Sequence, residues 1–151
     1  MLIASAHASS TLPETIRPEP VVETVSETVV TALSLEETIK AGDTSTTTIK
    51  AFIEEQAVVY GVKPELATAI ARAESSFVHN AKNPKSSASG VWQFITSTAQ
   101  SYCVEKYKVM SSLEEKDNPV LQTKCALNIL KEPNGSAHWD ASKDYWKEVV
   151  D

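Results

Sequence analysis

Glycine is scarce in this chain, with four copies isolated at positions 42, 61, 90 and 135. Nothing here forms a Gly-rich phosphate cradle, and no serine sits on a nucleophile-elbow motif. The three histidines, His7, His79 and His138, are scattered, and the two cysteines share no ligand spacing with them. A metal site is therefore not expected. Basic clusters are missing too, and the formal charge of -6 does not suit a nucleic-acid partner, which calls for a positive patch or stripe. No apolar run approaches the roughly 20 residues needed to cross a bilayer, so no transmembrane segment is expected. One further absence is local: from Ser75 to Val104 there is neither Asp nor Glu.

What remains is a chain of 151 residues, 42% hydrophobic, enough for one ordinary core and too short for a second full domain. Charge divides it. Residues 1–45 hold seven acidic side chains against two basic, net -5, whereas residues 46–151 hold thirteen against twelve, net -1. The front piece alternates Thr, Glu, Val and Pro without an aromatic residue and reads as an extended or disordered segment over 1–46. Within it, Pro20 to Leu33 has the partial alternation of an edge strand. At its start Ala6-His7-Ala8 has the small-x-small form of an export cleavage site but lacks a basic lead and a full apolar stretch. It is either an export-signal remnant or a stretch without meaning.

The second piece, 47–151, has helical punctuation. A threonine run leads into Ile49, Phe52, Ile53 and Ala57 at helical spacing, and Gly61 stops them. Pro64 opens a second helix carrying Leu66, Ala67, Ile70 and Ala71 toward Glu74. Asn80 to Gly90 is loop, Thr96 or Ser97 caps a third helix through Tyr102 and Cys103, and Asn118-Pro119 starts a fourth running to Leu130. Asn134-Gly135 breaks the chain before a last short helix from Ser142 to Val149. The fold class is mainly α with irregular connections. Cys103 and Cys125 make either one disulfide or two buried thiols; a bridge would close a loop of about 20 residues, worth ~3 kcal/mol on chain entropy.

Glu74 carries the chemistry. On a helix it falls on the same stripe as Ile70 and Ala71, in line with Leu66. If it stays on that stripe, partial desolvation raises its pKa and fits it for general acid catalysis of glycosidic cleavage. If instead the helix frays there, the carboxylate is an ordinary solvated one. Glu74-Ser75, followed by Gly90-Val91-Trp92-Gln93 and Thr98-Ala99, resembles the Glu-Ser, Gly-Leu-Met-Gln and Thr-Ala motifs of the soluble lytic transglycosylases over roughly residues 50–131. The resemblance implies a lysozyme-like helical fold, cleavage of the link between N-acetylmuramic acid and N-acetylglucosamine in peptidoglycan glycan strands, and an exported, wall-associated monomer. It makes Glu74 the catalytic acid, has Ser75 steady the carboxylate, and sets Gln93 and the Trp92 backbone beside the sugar groove. Against these roles stand plainer ones: a polar loop residue for Gln93 and a core aromatic for Trp92.

Hydrolysis that retains configuration needs a second carboxylate about 5 Å from the acid, and inverting hydrolysis needs it farther off. The acid-free stretch after Glu74 removes the usual donor. A single carboxyl still suffices if the muramyl C6 hydroxyl attacks in place of water, giving a 1,6-anhydro product without any cofactor. Glu105, Asp117 and Asp140 keep hydrolysis open, and a non-catalytic glycan binder is the third reading. The chain departs from the family in lacking its Ala-Tyr-Asn-Ala-Gly segment, whose tyrosine supports the glutamate. It has Ala137-His138-Trp139-Asp140-Ala141-Ser142 and Tyr145-Trp146 instead, whose aromatics either wall the sugar groove or belong to the core.

Overall fold

The structure, a computed structural model, describes residues 35–149. The Ala6-His7-Ala8 end and the Pro20 to Leu33 alternation lie outside the described residues. A short helix, α1 (35–40), stands inside the 1–46 stretch that composition marks as extended. Its cause is tertiary: Ile39 packs with Phe52, Val120 and Leu35, and Glu36 pairs with Lys40 at 2.8 Å and with Lys124 at 3.0 Å. One apolar pair at i, i+4 is too little signal to stand out from the surrounding Thr and Glu.

Helix α2 (Thr46–Tyr60) begins where Ser45 accepts the Thr48 N–H. It turns Ile49, Phe52, Ile53 and Ala57 inward and ends at Gly61. Helix α3 (Pro64–Ser75) starts at the expected proline and buries Ala67, Thr68, Ile70 and Ala71. Thr68 is tolerated there because its hydroxyl donates to the Pro64 carbonyl at 2.9 Å. The loop that follows is braced by single β-bridges from Lys82 to Ser89 and from Ser89 to Phe94.

Helix α4 (Thr96–Thr98) continues as wide π-helical turns over Ala99–Lys106. Neither Thr96 nor Ser97 caps it. Ile95 occupies the cap position, and the loop's Ser87 hydroxyl accepts the exposed Thr96 N–H at 3.0 Å. After a 3₁₀ turn at Leu113–Glu115, Asn118 accepts from Val120 and Leu121 N–H to start α5 (Pro119–Leu130). This helix is the spine of the molecule, burying Val120, Gln122, Thr123, Cys125, Ala126, Leu127 and Ile129. Cys103 and Cys125 form a disulfide that ties the π-helical turns to it.

The last segment is not the α-helix expected from Ser142 to Val149. It winds as 3₁₀ turns over Gly135–Tyr145 and Lys147–Val149, interrupted at Trp139, where φ is -116° and ψ 25°. Two large rings cause this, because Trp139 and Trp146 both turn into the core, which a regular exposed helix would not allow. Gly135 lets the segment cross α5 closely, since a Cβ there would stand 2.0 Å from the Ile129 carbonyl oxygen. The fold is thus mainly α with irregular loops, and no helix among the described residues is long and apolar enough to cross a membrane.

The disulfide closes a separation of 22 residues, which constrains the unfolded chain by ~3 kcal/mol. Replacing Cys103 and Cys125 together by Ala is expected to lower unfolding free energy by about that amount, read as a lower urea midpoint, with a somewhat steeper slope because the freed unfolded chain exposes more surface. A midpoint matching the wild type's would show that the bridge adds nothing.

Candidate active site

Helix α3 ends in a constrained corner. Ser76 and Phe77 both take left-handed conformations, with φ 53° and 65°, and such a conformation is unusual for a bulky phenylalanine. The Phe77 ring is buried, which holds the corner in place at a typical cost of about 1–3 kcal/mol per strained residue. Glu74 sits one turn after Ile70 and Ala71, and its side chain is half-buried rather than frayed into water. Beside it Ser75 donates its hydroxyl to the Val91 carbonyl at 2.7 Å, joining the helix end to the 90–94 loop.

That loop is shaped by α5. Gln122, fully buried, accepts the Trp92 N–H at 3.0 Å and donates to the Ser89 carbonyl at 3.0 Å and the Lys116 carbonyl at 2.6 Å. Its amide lies against Gly90, where φ is 81° and a Cβ would meet Gln122 Nε2 at 2.3 Å. Only glycine meets both demands. The Trp92 indole donates to Thr123 at 3.1 Å, and its carbonyl accepts from Trp139 Nε1 at 3.0 Å. Gln93, at φ 52°, folds back so that Nε2 donates to the Gly90 carbonyl at 2.8 Å and the Ala81 carbonyl at 3.1 Å.

Two expected roles change on this geometry. Trp92 is a fully buried core aromatic whose backbone N–H and carbonyl are both already bonded, so it does not border a groove. Ser75 does not steady the carboxylate, because its hydroxyl lies on Val91. The group that reaches Glu74 is Ser142, whose hydroxyl donates to Oε1 at 2.5 Å from 68 positions away. No spacing in the sequence points to it. No tyrosine among the described residues bonds Glu74. Tyr107 bonds Glu132, and Tyr145 is 81% exposed with no bond to Glu74. Trp139 and Trp146 are core residues rather than an exposed wall. A cavity of about 380 Å³ lined by Ala69, Arg72, Ala73, Tyr145 and Val149 opens beside this end of α3.

Burial pushes the Glu74 carboxyl above its usual range, and the Ser142 hydrogen bond pulls back only part of the way. No neighbouring charge contributes. Glu105 bonds Gln100, Asp117 bonds Ser89, and Asp140 faces Lys143 at 3.9 Å. Glu55 on α2 is likewise raised by burial, and its Oε2 is buried without a partner. It stands with Glu54, Glu65 and the start of α3, about a helix length from Glu74, and has no hydroxyl donor. Of these two acids raised by burial among the described residues, Glu74 is the one oriented by a hydroxyl donor. The arrangement suits proton donation to a leaving oxygen, then acceptance of a proton by the same group.

A family model described as Transglycosylase SLT domain matches residues 51–145, which contain α3, the loop, α5 and Ser142. No curated protein and no solved structure shows a significant match.

Two measurements check the corner. Gly90→Ala combines a disfavoured φ with a clash on a side chain fixed by three bonds, and should lower stability by about 2 kcal/mol or more in urea unfolding. Glu74 follows from linkage: its folded pKa lies above the unfolded one, so both states are protonated below the usual carboxylate range and the burial penalty is absent there. The penalty grows as pH rises through the raised value. Glu74→Gln should therefore match wild-type stability near about pH 3 and exceed it at neutral pH. A difference that stays constant with pH would mean the carboxylate is solvated.

Proposed function

The chain belongs to the transglycosylase SLT domain family, and on that premise we propose that it cuts the glycan strands of peptidoglycan with Glu74 as sole acid and base. The observation that carries this reading is the half-buried carboxyl at the end of α3, kept protonatable by burial and aimed by a hydroxyl, with no second carboxylate acting on it.

In the proposed reaction the Glu74 proton passes to the oxygen linking C1 of N-acetylmuramic acid to N-acetylglucosamine. The C1–O bond breaks and the N-acetylglucosamine leaves as an alcohol. Glu74, now a carboxylate, takes the proton of the muramyl C6 hydroxyl as that oxygen bonds to C1. Glu74 recovers its proton, and the product is a 1,6-anhydro sugar. Both kinds of hydrolase place a second carboxyl within about 10 Å of the acid. The engagement of Glu105, Asp117 and Asp140 with other partners favours the route that needs none.

Gln93 is the residue we assign to the groove, its folded-back amide leaving Oε1 for a sugar hydroxyl or N-acetyl N–H. Ser75 and Trp92 serve it indirectly by fixing the loop that carries it. A disulfide fits an exported protein working in an oxidising compartment, where the wall lies. The acidic front segment serves as a tether for the domain.

Purified sacculi digested by the wild type should release muropeptides one water lighter than hydrolysed ones. Glu74→Gln should lower the release by about 100-fold or more, in line with the worth of a positioned acid and base. Muropeptides of full hydrolysed mass would replace this mechanism with hydrolysis. Equal release by both proteins, or none by either, would leave a glycan-binding protein.

A further inference from the structure

The Ser142 hydroxyl has one proton and two acceptors within reach. Glu74 Oε1 lies at 2.5 Å and the Trp139 carbonyl oxygen at 3.1 Å. A third partner is a donor only: Trp146 Nε1–H points at Ser142 Oγ from 3.0 Å and lies 3.3 Å from the same Trp139 carbonyl. An indole N–H cannot reverse its role, whereas a hydroxyl proton swings to suit its neighbours. Both rings are buried, and Trp139 is pinned through Nε1 to the Trp92 carbonyl, so the frame around the hydroxyl is fixed while its proton is not.

The two protonation states of Glu74 ask opposite things of Ser142. An ionised carboxylate is the strongest acceptor near it and draws the hydroxyl proton. A protonated carboxyl donates instead, and needs Ser142 Oγ as acceptor. The serine proton then requires another acceptor, and the Trp139 carbonyl is in place. Neither state strands a buried polar hydrogen, so neither incurs the penalty of an unmade bond.

We propose that Ser142 is a two-state positioning residue, turning its hydroxyl proton from the Trp139 carbonyl to Glu74 as Glu74 gives up its own, so that one glutamate serves as acid and then as base. This rests on the reading of Glu74 as the reacting acid. No bond of Ser142 breaks; its O–H rotates and the transferred proton is Glu74's alone. Charged groups on the packed elements leave the exchange undisturbed. Asp140 faces Lys143, Asp144 pairs with Lys147, Arg72 lies over the Phe77 ring, and none of them shifts Glu74.

The rotation has a reporter that needs no substrate. The chain has three tryptophans, hence three indole N–H signals in a nitrogen–proton NMR spectrum, and Trp146→Phe identifies one. In the wild type the Trp146 signal should move with pH at the same midpoint as the Glu74 carboxyl carbon. It should stay flat in Glu74→Gln and in Ser142→Ala, while the Glu74 midpoint rises in Ser142→Ala because its donor is lost. Ser142→Thr, which keeps a hydroxyl, should restore both signals. On sacculi, Ser142→Ala should lose about tenfold or more in rate and Ser142→Thr should recover most of it. A Trp146 signal that ignores the Glu74 titration, or one that still titrates in Glu74→Gln, overturns the proposal, as does an unmoved Glu74 midpoint in Ser142→Ala. An inert wild type whose Trp146 signal follows Glu74 would sink the peptidoglycan reading and leave the two-state hydroxyl standing.

Discussion

The side-chain amide of Gln122, sealed inside α5, is the constraint on which the rest of the site depends. It completes the pairing that isolated bridges at Ser89 leave unfinished in the 89–92 loop, taking the Trp92 N–H and giving to the Ser89 and Lys116 carbonyls. Buried peptide groups must be paired, and in a mainly helical protein an irregular loop inside the core has few ways to achieve it. One glutamine on a rigid helix supplies three bonds at once. The disulfide then fixes that helix to the turns over Ala99–Lys106, so the platform beneath the loop is tied on both sides.

From that platform a continuous line of contacts reaches the carboxylate. Thr123 holds the Trp92 ring, the Trp92 carbonyl holds Trp139, and the Trp139 and Trp146 pair surrounds Ser142, which meets Glu74. The rings of Trp92 and Trp139 lie 5.6 Å apart and tilted, a geometry aromatic pairs prefer. The line runs from fully buried groups at Thr123 and Trp92 to half-buried ones at Ser142 and Glu74, so the orientation of Glu74 is set from the interior of the protein as well as by its own helix. Polar groups inside a core are costly unless satisfied, and here their full satisfaction gives the site its rigidity.

Strain is concentrated at the same place. Left-handed Ser76 and Phe77 close α3 one and two residues after Ser75, and left-handed Gln93 turns the loop opposite. Glycine would adopt these angles more easily, but at Phe77 it would give up a buried ring, and at Gln93 an amide that spans two carbonyls. Packing and hydrogen bonds outweigh the local conformational preference, as is common where geometry serves function.

The sequence by itself determined most local elements and the helix stripe on which Glu74 stands. Helical spacing after a threonine run, prolines at 64 and 119 and Asn118 located α2, α3 and α5, because caps and periodicity act within a few residues. The same short-range logic set Glu74 on the stripe of Ile70 and Ala71. It could not find α1, whose few residues depend on Phe52, Val120 and Lys124, nor the 3₁₀ winding of the last segment, which two buried tryptophans impose. Nor could it find Ser142 as the partner of the carboxylate, a role the resemblance gave to Ser75. That choice was made by tertiary structure alone, since a hydrogen bond across 68 residues needs both ends brought to one corner, and no local propensity records such a distance.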